Sequence, residues 1–485
     1  MARSPRRNSR ATGPFVTPLE HHIPVNWYVV GKRKWLDEAW EAGALEDAQR
    51  IVITKRSDMT PVKTFLNSLR TCGVDTETAG PYKANDKYYS LNSLNEGTRV
   101  VLLQVGNQDC VYLIQPELIP EFKEYLESDQ VRHVGHNLSY DFKWLFVKYG
   151  VHMQRMYCSM LAEQILTAGL MGVRVNLADS VRRRAPYWII NKAVRDAFVH
   201  FGHTSGCPDC EGGFHKQLTR EMGYYAARDI VLLFPLMREQ VREIKHYRLE
   251  RVAQVEFDII PATAEMELGG VDLSLPVMRQ VIEYWTQREK ELADEFFAIY
   301  SEEQKKAGKE SNNLLVDFSV GFNLKSGPAK LAALRELDID LDNIQRSTLK
   351  NAVKGKIERK AGKRTIEITL DLTPTQRRLL EIFAEISNVF KMTSTYGKKM
   401  VDKISPVTGR WHPTFKQLGS GEEEGRRSGG EDKATIATGR FSSNAQQFPK
   451  PKEEFAAVRA PKEVQQVMLH FANEIAATKA LTPAA

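Results

Sequence analysis

The stretch CGVDTETAG, residues 72–80, places Asp75 and Glu77 one residue apart at the end of an apolar run. Residues i and i+2 of a β-strand point to the same face. Two such carboxylates repel, and the arrangement costs free energy unless a cation sits between them. Taken alone, the pair reads more readily as a strand end with both acids solvated. Two further stretches change that reading. VGHNLSYDFKWL carries Asp141 shortly after Asn137. YYAARDIVLL carries Tyr225 and Asp229 at a spacing that a helix puts on one face. Four acids and a phenol fit a two-metal centre for phosphodiester cleavage. Two hard cations roughly 3.5–4 Å apart clamp the attacking and leaving oxygens of an in-line displacement. Mg²⁺ takes oxygen ligands, mainly carboxylates and water, and the phenol can orient the attacking water.

These residues need a sheet and at least two helices to bring them together. RIVITKR (50–56) reads as a strand, followed by a helix through VKTFLNSLR and the strand RTCGVDTET. RVVLLQVG and CVYLIQP are β-branched runs joined by a short polar turn, which predicts a hairpin. EFKEYLES, YDFKWLFVKYG and SMLAEQILTAGL have helical spacing, and TREMGYYAARDIVLLFPLMREQVREIKHYR reads as one long helix. A mixed sheet with surrounding helices is therefore expected over 26–245. Residues 246–400 are mostly helical and richly charged, interrupted by KRTIEITLDL as a strand or hairpin. Residues 401–485 contain a Gly-rich, charged loop at 419–433 and a terminal amphipathic helix over 462–481.

Composition sets wider limits. A chain of 485 residues can hold two to four domains, and 42% hydrophobic with 27% charged residues is ordinary for a globular protein. No run of 18 apolar residues occurs, so no membrane-spanning helix is expected. Between Arg346 and Arg364 lie eight Lys or Arg and one acid, Glu358. That segment nets +7, the same as the whole chain, and a local basic patch suits a polyanion such as nucleic acid. A solvated lysine-rich loop is the plainer alternative. Five irregularly spaced cysteines argue against a secreted disulfide framework, and MARSPRRNSRATGPF has no apolar core of a secretory signal. A disordered basic tail over 1–25 and a cytoplasmic location are expected, with organelle import as the alternative.

HTSGCPDCEGGFH places His203, Cys207, Cys210 and His215 together around a CxxC. The set suits a tetrahedral structural Zn²⁺ stapling an insertion at 200–216. A Gly-rich loop with free thiols and a redox pair are the alternatives.

In order, DxE, then HN with an acid four residues after the Asn, then YxxxD resembles the signature of the DEDD 3′–5′ exonucleases in their tyrosine variant. The resemblance implies an α/β ribonuclease H-like domain using Mg²⁺ or Mn²⁺. It implies that Asp75, Glu77 and Asp229 hold one ion and that Asp75 and Asp141 position the second. His136 and Asn137 match the motif as substrate or backbone contacts. Downstream, PATAEMELGGVDLS, GFNLKSGPAKLAALREL, STLKNA, EISNVFKMTSTYGKKMV, GRWHPTFKQLG and TGRFSSNAQQFPK resemble the exonuclease–polymerase joint, thumb and first palm segment of family A DNA polymerases. The resemblance covers roughly residues 50–450. It implies a mainly α-helical thumb and a partial palm, with Lys391, Lys398 and Lys399 facing duplex phosphates and Arg440 facing the primer terminus. Lys354, Lys356, Arg359 and Lys360 belong to the same duplex-contacting surface on charge grounds.

Departures from that family bear on function. A Gly- and Glu-rich insertion separates FKQLG from TGRFSS, and the run after SS is shortened. The palm's DYSQIELR-like strand, nucleotide-binding helix and HDE motif have no counterpart in these residues. The expectation is a DNA 3′–5′ exonuclease that synthesises no DNA by itself, with a second chain carrying palm and fingers, or a truncation, as the reasons. A ribonuclease D-type RNA exonuclease and a non-catalytic DNA-binding subunit are the competing readings.

Overall fold

The computed structural model describes residues 25–40, 49–80, 92–170, 172–186, 198, 218–306, 322–361, 364–418 and 441–443. The chain divides into two compact units, one of residues 1–270 with 413–446 and one of 271–412 with 447–485.

The first unit is built on a seven-stranded sheet. Its strands are β1 (Asn26–Gly31), β2 (Arg50–Val52), β3 (Thr71–Ala79), β4 (Arg99–Gly106), β5 (Cys110–Ile114), β6 (Arg132–Gly135) and β7 (Met156–Cys158). Their order is β2-β1-β5-β4-β3-β6-β7. The β3–β4 and β4–β5 pairs are antiparallel, so the expected hairpin forms. The remaining pairs are parallel. Val100 to Gly106 of β4 is buried throughout, as a central strand covered on both faces requires. RIVITKR yields only the three residues of β2. The Asp58 carboxylate accepts from the Thr54 N–H and hydroxyl and from the Lys55 N–H, which turns the chain out of the sheet toward helix α2 (Thr60–Ser68). Strand β1 and helix α1 (Arg33–Ala39) were not expected from the pattern.

EFKEYLES forms only a short helix α3 (Lys123–Leu126), preceded by a 3₁₀ stretch Pro116–Phe122 that contains Pro120. Proline there removes a backbone donor and discourages a regular α-helix. Helices α4 (Leu138–Tyr149), α5 (Ser159–Leu166) and α6 (Leu177–Arg184) follow, then the long α7 (Arg220–His246). The compact unit that holds the sheet continues past residue 245. Helices α8 (Glu250–Asp258) and α9 (Ile260–Gly269) bury Ala253, Phe257, Ile260 and Ala264 in the same core as the sheet. Phe257 meets Tyr157 of β7 with ring centroids 4.8 Å apart.

The region expected as one partial palm, 401–485, is divided. Residues up to 412 belong to the second unit, where Trp411 bridges to Val271 and Ile404. The following strand β10 (Phe415–Lys416) pairs with β11 (Ser442–Ser443) in the first unit. Hydrogen bonds decide this: Glu267 accepts from the Phe415 N–H at 2.7 Å, and Gln417 donates to the Glu256 carbonyl at 2.8 Å. The expected tail over 1–25, the loop 419–433 and the helix 462–481 lie outside the described residues or, for residue 25, at their edge.

The second unit is mainly helical, with α10 (Leu275–Lys306), α11 (Gly327–Glu336), α12 (Arg346–Val353) and α13 (Pro374–Thr393). Its core joins Leu292, Phe296 and Tyr300 of α10 to Leu379, Phe383 and Ile386 of α13. Arg378 grips Glu295 through two bonds of 2.7 and 2.9 Å, and Arg288 meets Glu385 at 2.7 Å. KRTIEITLDL, expected as a strand or hairpin, supplies one strand, β9 (Arg364–Thr369), paired antiparallel with β8 (Lys356–Ala361).

Candidate active site

Asp75 and Glu77 stand on β3, near the middle of the sheet. The i, i+2 spacing places them on one face. Glu77 is buried, and Gln104 of the neighbouring β4 donates to its Oε1 at 3.3 Å. Gln104 is the one polar side chain in RVVLLQVG after Arg99, a signal that sequence reading passed over.

Asp141 reaches the same place from α4. Strand β6 pairs with β3 only over Thr71–Gly73, so the edge of β3 beyond that point is open. The chain leaves β6 and enters α4 through Asn137, held at φ 63° and ψ 43°. Asparagine is one of the few residues that tolerates this left-handed conformation. Asn137, singled out as a DNA contact, thus has a backbone role of its own. Asp141 sits one turn into α4 and is 2% exposed. Its Oδ1 accepts from the Thr76 N–H at 3.0 Å and from the Thr76 hydroxyl at 2.6 Å. His136 bonds through Nδ1 to the Ser159 hydroxyl at 2.9 Å, and so serves the packing of α5.

Tyr225 and Asp229 come from α7, capped at its start by the Thr219 side chain on the Met222 N–H. Both are buried. The Arg228 guanidinium lies over the Tyr224 and Tyr225 rings, 5.7 and 5.8 Å from their centroids. The helix start leans on β1 and on the residue that ends α1: a Cβ at Gly223 would sit 2.8 Å from both Trp27 and Trp40. Further along, Gln240 donates to the Ser159 carbonyl and to Glu163, which also takes Arg183 and Arg184 of α6. That buried network fixes α5, α6 and α7 to one another, and the motifs gave no sign of it.

The electrostatics show four acids pressing on each other. Burial first, then the charges of Asp141, Glu77 and Asp229, hold the Asp75 carboxyl well above the usual carboxylate range. Burial pushes Asp141 up to about 7, against the two Thr76 bonds, which pull it down. Burial and the charges of Asp229, Glu77 and Asp75 raise the Tyr225 phenol far above its ordinary value, so it stays protonated and can donate. Among the described residues, the charges acting on Asp75 are those of acids, which is the environment a cation would relieve. Among the described residues no three His, Cys, Asp or Glu side chains close into a ready-made cage. The donor set instead fits hydrated hard ions, which take one or two carboxylates and complete their shell with water and substrate phosphate.

The remaining candidates are scattered. Lys354 and Lys356 are exposed at the turn from α12 into β8, and Lys391 and Lys398 are exposed in and just after α13, all in the second unit. The side chains of Arg359 and Lys360 lie outside what the structure describes, as do Arg440 and the set His203, Cys207, Cys210 and His215.

A mixed sheet flanked by helices fits a ribonuclease H-like exonuclease fold. Residues 51–245 match the family model of the 3′–5′ exonuclease. DNA polymerase I of Aquifex aeolicus is 23% identical over 350 residues, covering 69% of this chain and 52% of that protein. DNA polymerase I of Chloroflexus aurantiacus is 23% identical over 375 residues, covering 74% of this chain and 33% of that protein. The chain thus spans about half the length of these relatives, or less. The polymerase domain of Pol1 from M. smegmatis, solved with DNA primer-template and dNTP, shares the fold at a TM-score of 0.52 and 13% identity, covering 83% of this chain and 56% of that one. The chain is similar to the exonuclease and thumb portion of family A DNA polymerases.

Proposed function

We propose that this chain is a 3′–5′ exonuclease that removes nucleotides from DNA 3′ ends, as the exonuclease and thumb part of a family A DNA polymerase. The meeting of Asp75, Glu77, Asp141 and Asp229 with Tyr225, within the segment matched by the exonuclease model, carries this reading. Two bound Mg²⁺ or Mn²⁺ ions would supply the positive charge that stabilises the attacking and leaving oxygens. Asp75, Glu77 and Asp229 would hold one, and Asp75 with Asp141 the other. The protonated Tyr225 phenol orients the attacking water. Gln104 and Thr76 hold two of the carboxylates in place, so the site is set before substrate arrives.

Lys354, Lys356, Lys391 and Lys398 would neutralise duplex phosphates, and Arg359, Lys360 and Arg440 are proposed as further DNA contacts on charge grounds. In this reading DNA synthesis would draw on palm carboxylates supplied by a second chain. The His203, Cys207, Cys210 and His215 set is a separate structural zinc site in this reading, tested by metal analysis of wild type against Cys207→Ser.

The test uses 3′- and 5′-labelled DNA and RNA oligonucleotides. Mononucleotides released from DNA 3′ ends with Mg²⁺ and not with chelator are expected. Asp75→Ala should lower the rate by several orders of magnitude, since a ligand shared by both ions is lost. Equal rates for wild type and Asp75→Ala would end the reading. Faster cleavage of RNA than of DNA would move the chain to the RNA-processing exonucleases.

A further inference from the structure

We propose that Thr76, between the two acids of the DTE segment, is a positioning residue that sets the Asp141 carboxylate for cation binding. This rests on the exonuclease reading above. The geometry is specific. Both the backbone N–H and the hydroxyl of Thr76 donate to the same atom, Oδ1 of Asp141, at 3.0 and 2.6 Å. Two donors converging on one oxygen fix both the place and the plane of the carboxylate. The other oxygen would then be the one offered to a cation or its water.

The reason lies in the sheet. Beyond Gly73 the edge of β3 has no β6 partner, because β6 has turned through Asn137 into α4. Asp141 takes the backbone donor that this open edge presents. The next outward residue repeats the pattern, with the Thr78 hydroxyl 2.7 Å from the Tyr140 hydroxyl. The first turn of α4 is therefore stitched to the strand that carries Asp75 and Glu77. One three-residue segment sets three of the four acids, two directly and the third through Thr76.

A bond of merely structural value would stabilise the fold and leave cation affinity alone. Partners that orient metal-binding side chains typically cost 10–100-fold in metal affinity or activity when removed. The test uses the full chain as wild type, Thr76→Val and Thr76→Ser. Mn²⁺ binding is measured by calorimetry without nucleic acid, and hydrolysis of a 3′-labelled DNA oligonucleotide is followed over a range of Mg²⁺. Thr76→Val should bind Mn²⁺ about 10-fold more weakly or worse, need more Mg²⁺, and lose kcat with KM for DNA held. Thr76→Ser, which keeps the hydroxyl, should restore all three. Thr76→Ala is read the same way should the valine variant not fold. Wild-type Mn²⁺ affinity and Mg²⁺ dependence in Thr76→Val or Thr76→Ala overturns the inference while wild-type hydrolysis keeps the exonuclease reading. Absence of hydrolysis by wild type overturns that reading instead, and calorimetry alone then decides on Thr76.

Discussion

A Cβ added at Gly73 would lie 2.7 Å from Cγ2 of Ile230, so β3 and α7 approach more closely than a side chain at position 73 allows. Gly73 is two residues before Asp75, and Ile230 directly follows Asp229. The missing side chain therefore sets the distance between the acids of the strand and the acid of the helix. Gly73→Ala should overpack this contact at a cost of about 1–3 kcal/mol. It should also displace Asp229, and a misplacement on the order of 1 Å costs about 10²-fold in kcat. Thermal melting and single-turnover hydrolysis check both, and a fully active Gly73→Ala would show that the helix has room to spare.

Tyr225 touches the site through a phenol held protonated by burial and by three nearby carboxylates. Tyr225→Phe removes the hydroxyl and no metal ligand. The rate should fall by about 10–10³-fold, as for a positioning group, and by far less than in Asp75→Ala. A Tyr225→Phe variant as inactive as Asp75→Ala would mean that the phenol does more than orient water.

The acids make stability depend on pH. Unfolded carboxylates titrate near about 4. Burial raises Asp141 to about 7, and burial with neighbouring acids raises Asp75 well above its ordinary value. The folded state thus binds more protons than the unfolded state between about pH 4 and 7, so these two groups favour folding at low pH and cost stability as pH rises through that window. The melting temperature of the metal-free protein should fall from pH 5.5 to pH 8 more in wild type than in Asp141→Asn. Mg²⁺ should restore more at pH 8 than at pH 5.5. Identical pH slopes for the two proteins would remove Asp141 as the source.

Glu163 is fully buried and receives Arg183, Arg184 and Gln240. Breaking a buried pair by removing one partner costs about 3–5 kcal/mol, because the other charge is left without compensation. Glu163→Ala should lose stability on that scale in urea unfolding, and Glu163→Gln less. A loss below about 1 kcal/mol would show that Arg184 finds Glu243, its other partner, sufficient.

Charge on the second unit is tested by salt. Neutralising Lys354, Lys356, Arg359 and Lys360 together should weaken duplex DNA binding and flatten the slope of log affinity against log salt by about 0.9 per lost phosphate contact. An unchanged slope would make this segment a solvated surface.

The sequence by itself pointed to the candidate catalytic side chains and to the kind of element on which each stands. Asp75 and Glu77 read as a strand pair, and Tyr225 with Asp229 as one helix face, because periods of two and of 3.6 are local properties of the backbone. The same locality made the β4–β5 hairpin and the long α7 legible. What only the tertiary structure decided is how those elements are held. Thr76 clasping Asp141 joins residues 65 apart in the chain, and Gln104 on Glu77 joins residues 27 apart. The close pass of Ile230 over Gly73, the Trp27 and Trp40 bed under Gly223, and the Glu163 network are likewise contacts between distant segments. The extension of the first unit to Gly270 follows from the burial of Phe257, Ile260 and Ala264 in its core, and the return of Phe415 and Gln417 from hydrogen bonds to Glu267 and Glu256. Periodicity records which face of an element is apolar. It does not record which partner covers that face or which donor meets which acid, since those depend on where other parts of the chain arrive.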